Sequence, residues 1–193
     1  NSGGSLVEAP SEVHRLTETS ACTVGSVSSG CVGTANETRT VIAYEAGSSS
    51  VASNLLPVTA TARSGNTSGT GAVTSTSTTS YSVQGDVGTV DGPLSGTVDK
   101  AYFYYDDMRR LRATVSTDPD GGGSLQHRVV KTTYDADGRT TKVELGHVST
   151  PASWNSLTVM QQQDLTYAST GMLGKVALSS GGATHSVVQY GIG

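Results

Sequence analysis

Residues 127–145 read HRVVKTTYDADGRTTKVEL, and at their centre stands Tyr134-Asp135-Ala136-Asp137-Gly138-Arg139. Val130, Thr132 and Tyr134 alternate on one side of the incoming run, and Thr141, Val143 and Leu145 on one side of the outgoing run. Side chains that recur every second residue share one face of a strand, so the stretch predicts a β-hairpin. Asp135 suits its turn because a carboxylate there accepts from backbone N–H groups two residues on. Gly138 suits a left-handed position that L side chains enter only at a cost. The expected turn is type I followed by a residue at positive φ.

Residues 101–115, AYFYYDDMRRLRATV, repeat the plan, with Leu111, Ala113 and Val115 on one side. Arg109 stands where Gly138 stands in the other copy. A positive φ would strain it by about 1–2 kcal/mol, which predicts a different turn type there. Further out, β-branched runs predict strands at residues 38–44, 56–62 and 73–81, with a weak one at 12–16. Turns are expected at Asp86-Val87-Gly88 and at Asp91-Gly92-Pro93. Residues 165–193 read as two strands, a Ser-Gly-Gly turn and a returning strand. One segment breaks the rhythm. Thr150 fits a helix N-cap, Pro151 the first helical position, and Trp154, Leu157 and Met160 fall at helical spacing, predicting a short helix near 150–161. The chain divides into an irregular lead-in (1–36), degenerate β-repeats (37–97) and clear hairpin repeats (98–193).

Composition agrees with an all-β fold. The 193 residues are 35% hydrophobic and 15% charged, with 24 Gly, and Ser and Thr fill much of the remainder. Ser, Thr and Gly are poor helix formers and suit short strands with tight turns. A net charge of -4 gives no support to nucleic-acid binding, which needs clustered Lys and Arg. No apolar run approaches the ~18 residues of a membrane span, and the opening NSGGSLVEAP shows no signal-peptide pattern. Cys22 and Cys31 leave two readings open: a disulfide closing a small loop, or two buried thiols.

Catalytic and metal chemistry find little footing. His14, His127, His147 and His185 are scattered singly, without metal-ligand spacing. Asp135-Ala136-Asp137-Gly138 resembles the start of a calcium loop, but the twelfth position is Gly146 rather than Glu. No Gly-x-Ser-x-Gly elbow occurs. Arg109-Arg110-Leu111-Arg112 reads as a solvated strand face. The expectation is therefore no catalytic residue, metal or cofactor. Tyr102 and Tyr104, sharing one strand face, are candidates for stacking on sugars, so a carbohydrate- or cell-surface-binding module is the alternative function.

The tyrosines mark an internal repeat. Tyr105-Asp106 with Arg110-Leu111, and Tyr134-Asp135 with Gly138-Arg139, are its clear copies. Tyr81 opens a degenerate one, Tyr167 and Gly171 keep part of it, and Tyr190 opens a unit cut short by the chain end. These residues resemble the Rhs/YD-repeat family, whose mark is Tyr-Asp, two variable residues, then Gly-Arg and an apolar residue. Arg109 departs from that mark at the Gly and Thr140 at the apolar place. The resemblance covers residues 98–193 and implies a strip of antiparallel hairpins, part of a spiral β-shell. It implies a non-catalytic segment that encloses a C-terminal toxin for delivery, in a secreted or cell-surface protein. The implied partners are the rest of the parent polypeptide and the enclosed toxin domain. Asp118-Pro119-Asp120-Gly121 is similar to the family's cleavage signature only superficially and reads as a turn. Unpaired edges at both ends, with Val187 and Val188 beside Tyr190, predict edge-to-edge self-association.

Overall fold

The computed structural model describes residues 13–23, 31–47, 54–64 and 73–191. It is all-β and antiparallel, in two compact units, Asn1–Pro93 and Leu94–Gly193. In the first unit, β1 (Glu18–Cys22), β2 (Glu37–Tyr44), β3 (Pro57–Ser64), β4 (Val73–Tyr81) and β5 (Val87–Asp91) pair in chain order. In the second, β6 (Ala101–Tyr105), β7 (Leu111–Val115), β8 (His127–Tyr134), β9 (Thr140–Val148), β10 (Thr158–Tyr167), β11 (Leu173–Ser180) and β12 (Ala183–Gln189) do the same. Each unit is thus a meander in which every strand bonds to its sequence neighbours.

The two units are held differently. In the second, Ala113, Val115, Val129 and Val148 form a buried cluster, and Tyr102, Tyr104, Trp154 and Leu157 pack against it. The first carries cross-strand hydroxyl pairs. Thr61 and Thr76 hydroxyls meet at 3.1 Å across β3–β4, and Ser80 and Thr89 at 2.7 Å across β4–β5. A disulfide joins Cys22 to Cys31, with Cα atoms 6.0 Å apart.

Several expectations are corrected. Of the weak strand expected at 12–16, residue 12 lies outside the described residues and 13–16 are not strand; the strand is Glu18–Cys22, which forms where cross-strand partners exist on β2, while Val13 and Leu16 are exposed. Val87 and Gly88 belong to β5, and the turn precedes them, closed by the Ser82 N–H on Asp86 O at 2.8 Å. The alternation on β8 and β9 stands, and the covered side is the one that carries Val129 on β8 and Gly146 and Val148 on β9, while Val130 and Leu145 are exposed. Alternation defines two faces but does not say which is covered. The cover is Trp154 and Leu157, which land on the Val129 side.

The helix near 150–161 is a 3₁₀ helix, Pro151–Ser156. Thr150 makes no backbone cap, and its hydroxyl bonds the Ser153 hydroxyl at 2.9 Å. From Thr158 the chain is strand, because β-branched Thr158 and Val159 pair with His147 and Gly146 on β9. Met160 falls where that register slips by one residue, and it is exposed. Gly146 permits this crossing. A Cβ there would sit inside van der Waals contact with the Thr158 carbonyl and 2.9 Å from Leu157 Cδ1. Gly146→Ala is therefore expected to cost about 1–3 kcal/mol, as other overpacked sites do, read as a lowered midpoint in urea unfolding.

Candidate functional site

The repeat tyrosines Tyr81, Tyr105, Tyr134 and Tyr167 precede turns of one geometry. The residue four places after each tyrosine is left-handed: Gly85 (φ 89°), Arg109 (φ 63°), Gly138 (φ 85°) and Gly171 (φ 84°). Each turn closes with the same two backbone bonds. Around Asp135 they are Gly138 N–H to Asp135 O at 3.1 Å and Asp135 N–H to Arg139 O at 2.9 Å. The pairs around Ser82, Asp106 and Ala168 match them at 2.8–3.0 Å. Arg109 therefore does adopt the positive φ, and its turn is of the same type as the Gly138 turn. The closing bonds around it, and the Asp106 carboxylate, hold it there against the steric preference.

Asp106 and Asp135 occupy equivalent places. Asp106 Oδ1 accepts the N–H groups of Met108 and Arg110 at 3.0 and 2.9 Å, and Oδ2 accepts Arg110 Nε at 2.7 Å. Asp135 Oδ1 accepts those of Asp137 and Arg139 at 3.0 and 2.8 Å, and Oδ2 accepts Arg139 Nε at 2.8 Å. The carboxylate thus shapes the turn and aims the arginine. Desolvation pushes the Asp106 carboxyl up, but the Arg110 N–H, the Arg110 guanidinium and the Met108 N–H together hold it below its ordinary range. Asp135 is lowered in the same way, desolvation being outweighed by the Arg139 side chain and N–H and by the Asp137 N–H.

Each aimed arginine reaches the next repeat. The Arg110 guanidinium lies 4.6 Å from the ring centre of Tyr134 and donates to Asp135 O at 3.4 Å. Arg139 lies 4.9 Å from the ring centre of Tyr167. The tyrosines reach back. Tyr134 donates its hydroxyl to Leu111 O and Tyr167 to Thr140 O, both at 2.9 Å. Consecutive hairpins are therefore tied twice, by a cation over a ring and by a hydroxyl on a strand-edge carbonyl.

The hydroxyl tie recurs at the degenerate copy of Tyr81 and at Tyr44, where the motif does not show it, and at Tyr44 the cation recurs as well. The Tyr81 hydroxyl donates to Pro57 O at 2.8 Å and the Tyr44 hydroxyl to Leu16 O at 3.0 Å, with Arg15 over the Tyr44 ring at 4.7 Å. Arg15-Leu16 repeats the dipeptide Arg110-Leu111, which is the signal that marks this rung. A longer connection hid it, since Tyr44 pairs with Pro57 and Leu55 takes the left-handed place (φ 64°). Tyr190 follows β12, its N–H on Gly174 O at 2.9 Å.

Tyr102 and Tyr104 both face the buried cluster. Trp154 stacks on Tyr104 at 5.1 Å between ring centres, and the Tyr104 hydroxyl donates to Pro151 O at 3.0 Å. Burial, then the neighbouring Tyr102, raises its pKa. One ring face of Tyr104 is thus already taken. Two surface depressions, about 360 and 330 Å³, share Leu145, Gln161 and Ser180, and no carboxylate lines either. Among the described residues no group of three His, Cys, Asp or Glu is arranged to hold a metal ion, and no helix is long and apolar enough to cross a membrane.

No protein-family model matches the sequence, and no curated protein matches it. Among solved structures the chain is similar to a TcdB2–TccC3–Cdc42 crystal structure, at 15% identity over 76% of this chain and 9% of that one, with a TM-score of 0.41. It is also similar to a Tc holotoxin pore of Photorhabdus luminescens, at 15% identity over 76% of this chain and 9% of that one, with a TM-score of 0.42. A TcdB2–TccC3 crystal structure aligns at 14% identity over 90% of this chain and 10% of that one, with a TM-score of 0.30. The chain spans about a tenth of the length of these proteins.

Three measurements check the rung. Tyr134→Phe keeps the ring under Arg110 and removes only the bond to Leu111 O, so a loss of about 1 kcal/mol is expected in chemical denaturation. Gly138→Val places a β-branched residue at φ 85° with its Cβ 3.4 Å from Arg110 Nη1, and is expected to exceed the ~1–2 kcal/mol strain of an ordinary left-handed residue. The third is pH. Both carboxyls are lowered below their unfolded value of about 3.9. The stability they contribute is complete above that value and is lost as pH falls towards their folded values. Urea midpoints followed downward from about pH 5 should fall through that window, and the Asp106→Asn/Asp135→Asn double variant should start lower and fall less steeply.

Proposed function

We propose that the chain is a non-catalytic section of a YD-repeat wall, which encloses a toxin domain carried on the same parent polypeptide and delivered outside the producing cell. The observation that carries this reading is the rung between consecutive hairpins, a Tyr hydroxyl on the preceding strand-edge carbonyl, repeated at Tyr44, Tyr81, Tyr134 and Tyr167. Asp106, Arg110, Asp135 and Arg139 are engaged in that tie. Arg110 and Arg139 are each paired with an aspartate and laid over a ring, an arrangement that extends a sheet. Repeats linked to their neighbours in this way build continuous surfaces, and a wall is what such a surface serves.

The test is containment in the parent protein. Tyr134→Ala combined with Tyr167→Ala removes two rungs. If this section closes the wall, the enclosed domain should become cleavable by added protease in the variant and stay protected in the unaltered protein. A domain equally protected in both would overturn the reading.

A further inference from the structure

The disulfide sits at the base of β1, whose other attachments are hydrogen bonds, an ion pair and a cation over a ring rather than apolar packing. Cys22 is the last residue of β1 and lies opposite Glu37, the first residue of β2. Cys31 and Glu37 are buried, at 6% and 2% exposure, whereas β1 is largely exposed along its length. The Glu37 carboxylate accepts the Ser20 hydroxyl from β1 and the Gly33 N–H, at 2.7 Å, from the connection. Those two bonds, set against burial and helped by Arg39, hold its pKa low, so it stays an anion in that place. At the other end Tyr44 holds Leu16 and Arg15. Between the ends stand an Arg39–Glu18 ion pair and a ladder from Glu18–Val41 to Cys22–Glu37. Among the described residues β1 bonds to β2 alone and contributes no buried apolar side chain. An edge strand with no buried apolar side chain belongs to the less stable, locally opening part of a fold.

We propose that the Cys22–Cys31 disulfide is a redox clasp for β1: oxidised, it keeps the strand on the sheet, and reduced, it lets β1 leave β2 while β8 and β9 stay folded. Cys22 is the more exposed of the two residues. A thiolate of a dithiol reductant attacks its Sγ, the S–S bond breaks, and the electron pair leaves on Cys31 Sγ, which takes a proton. The reductant's second thiol then displaces Cys22 as a thiol and closes its own disulfide, so two electrons and two protons pass to the protein. The clasp is closed in oxidising surroundings and opens in a compartment kept reduced by thiols. Opening uncovers the β2 edge, a row of backbone donors and acceptors able to pair with another strand. This inference stands apart from the wall reading and needs only the chain itself.

Hydrogen exchange read by mass spectrometry on the full 193-residue chain tests it, with and without dithiothreitol. Reduction is expected to speed exchange at least tenfold in residues 18–22 and in the β1-facing amides of residues 37–41, and to leave β8 and β9 unchanged. Unchanged exchange at β1 would overturn the proposal. So would equal acceleration in β8 and β9, which would make the disulfide a support of the whole chain. The Cys22→Ser/Cys31→Ser variant should show the reduced pattern without reductant. If dithiothreitol still accelerates exchange in it, the reagent rather than the disulfide is acting, and the proposal falls.

Discussion

A tyrosine hydroxyl that reaches back to the carbonyl of the preceding hairpin sets the register on which the rest of this chain depends. Backbone ladders alone tolerate slippage, because a strand shifted by two residues makes the same bonds with the same faces. The tyrosine removes that freedom, since its hydroxyl meets one carbonyl: Leu16, Pro57, Leu111 or Thr140. Each such bond contributes about 1 kcal/mol, and a guanidinium over the ring about 0.5–1 kcal/mol more. Four such bonds and the three cations over Tyr44, Tyr134 and Tyr167 sum to about 5–7 kcal/mol, near the lower end of the net stability of a small domain, about 5–15 kcal/mol. That matters in a chain whose buried apolar residues, among those described, are Cys31, Ala113, Val115, Val129 and Val148.

The turn and the rung are separable. Ser82 and Ala168 stand where Asp106 and Asp135 stand, yet their turns close with the same backbone bonds. Aspartate is therefore not needed to make the turn. What it adds is a fixed direction for the arginine four residues on, which otherwise would sweep many rotamers. Asp106 and Asp135 spend one oxygen on backbone N–H groups and the other on the guanidinium. A single carboxylate so couples the local fold of one hairpin to the ring of the next. The left-handed residue is separable too: Arg109 and Leu55 occupy it without being glycine.

Period-2 alternation and turn chemistry carried most of the second unit, because both are local properties. The strands around Asp106 and Asp135 appear where their sequences place them, and so do β4 and most of β2 and β3. What escaped was non-local. The covered face of β8 and β9 depends on where Trp154 and Leu157 come to rest, and nothing within either strand encodes that. The requirement for glycine at position 146 arises only when β10 crosses it. The Tyr44 rung spans 28 residues to Leu16 and precedes a lengthened turn, so no fixed spacing reveals it. The arginine-over-tyrosine contacts link different repeats, whereas the sequence motif is written within one.

The position of the disulfide follows from the same economy of apolar burial. Of the buried apolar residues among those described, all but Cys31 lie in the second unit, beneath the 3₁₀ segment. The first unit has cross-strand hydroxyl pairs such as Thr61–Thr76 and Ser80–Thr89, which make a sheet specific but give little net stability in water. Tyrosine rungs secure β2 to its N-terminal neighbour and β4 to β3, but the far end of β1 lies beyond the reach of Tyr44. At that end stand Cys22 and a buried Glu37. Cross-links and buried ion–dipole contacts recur in small domains where a core is lacking. Here a covalent bond and a carboxylate do at one end of β1 what a tyrosine does at the other.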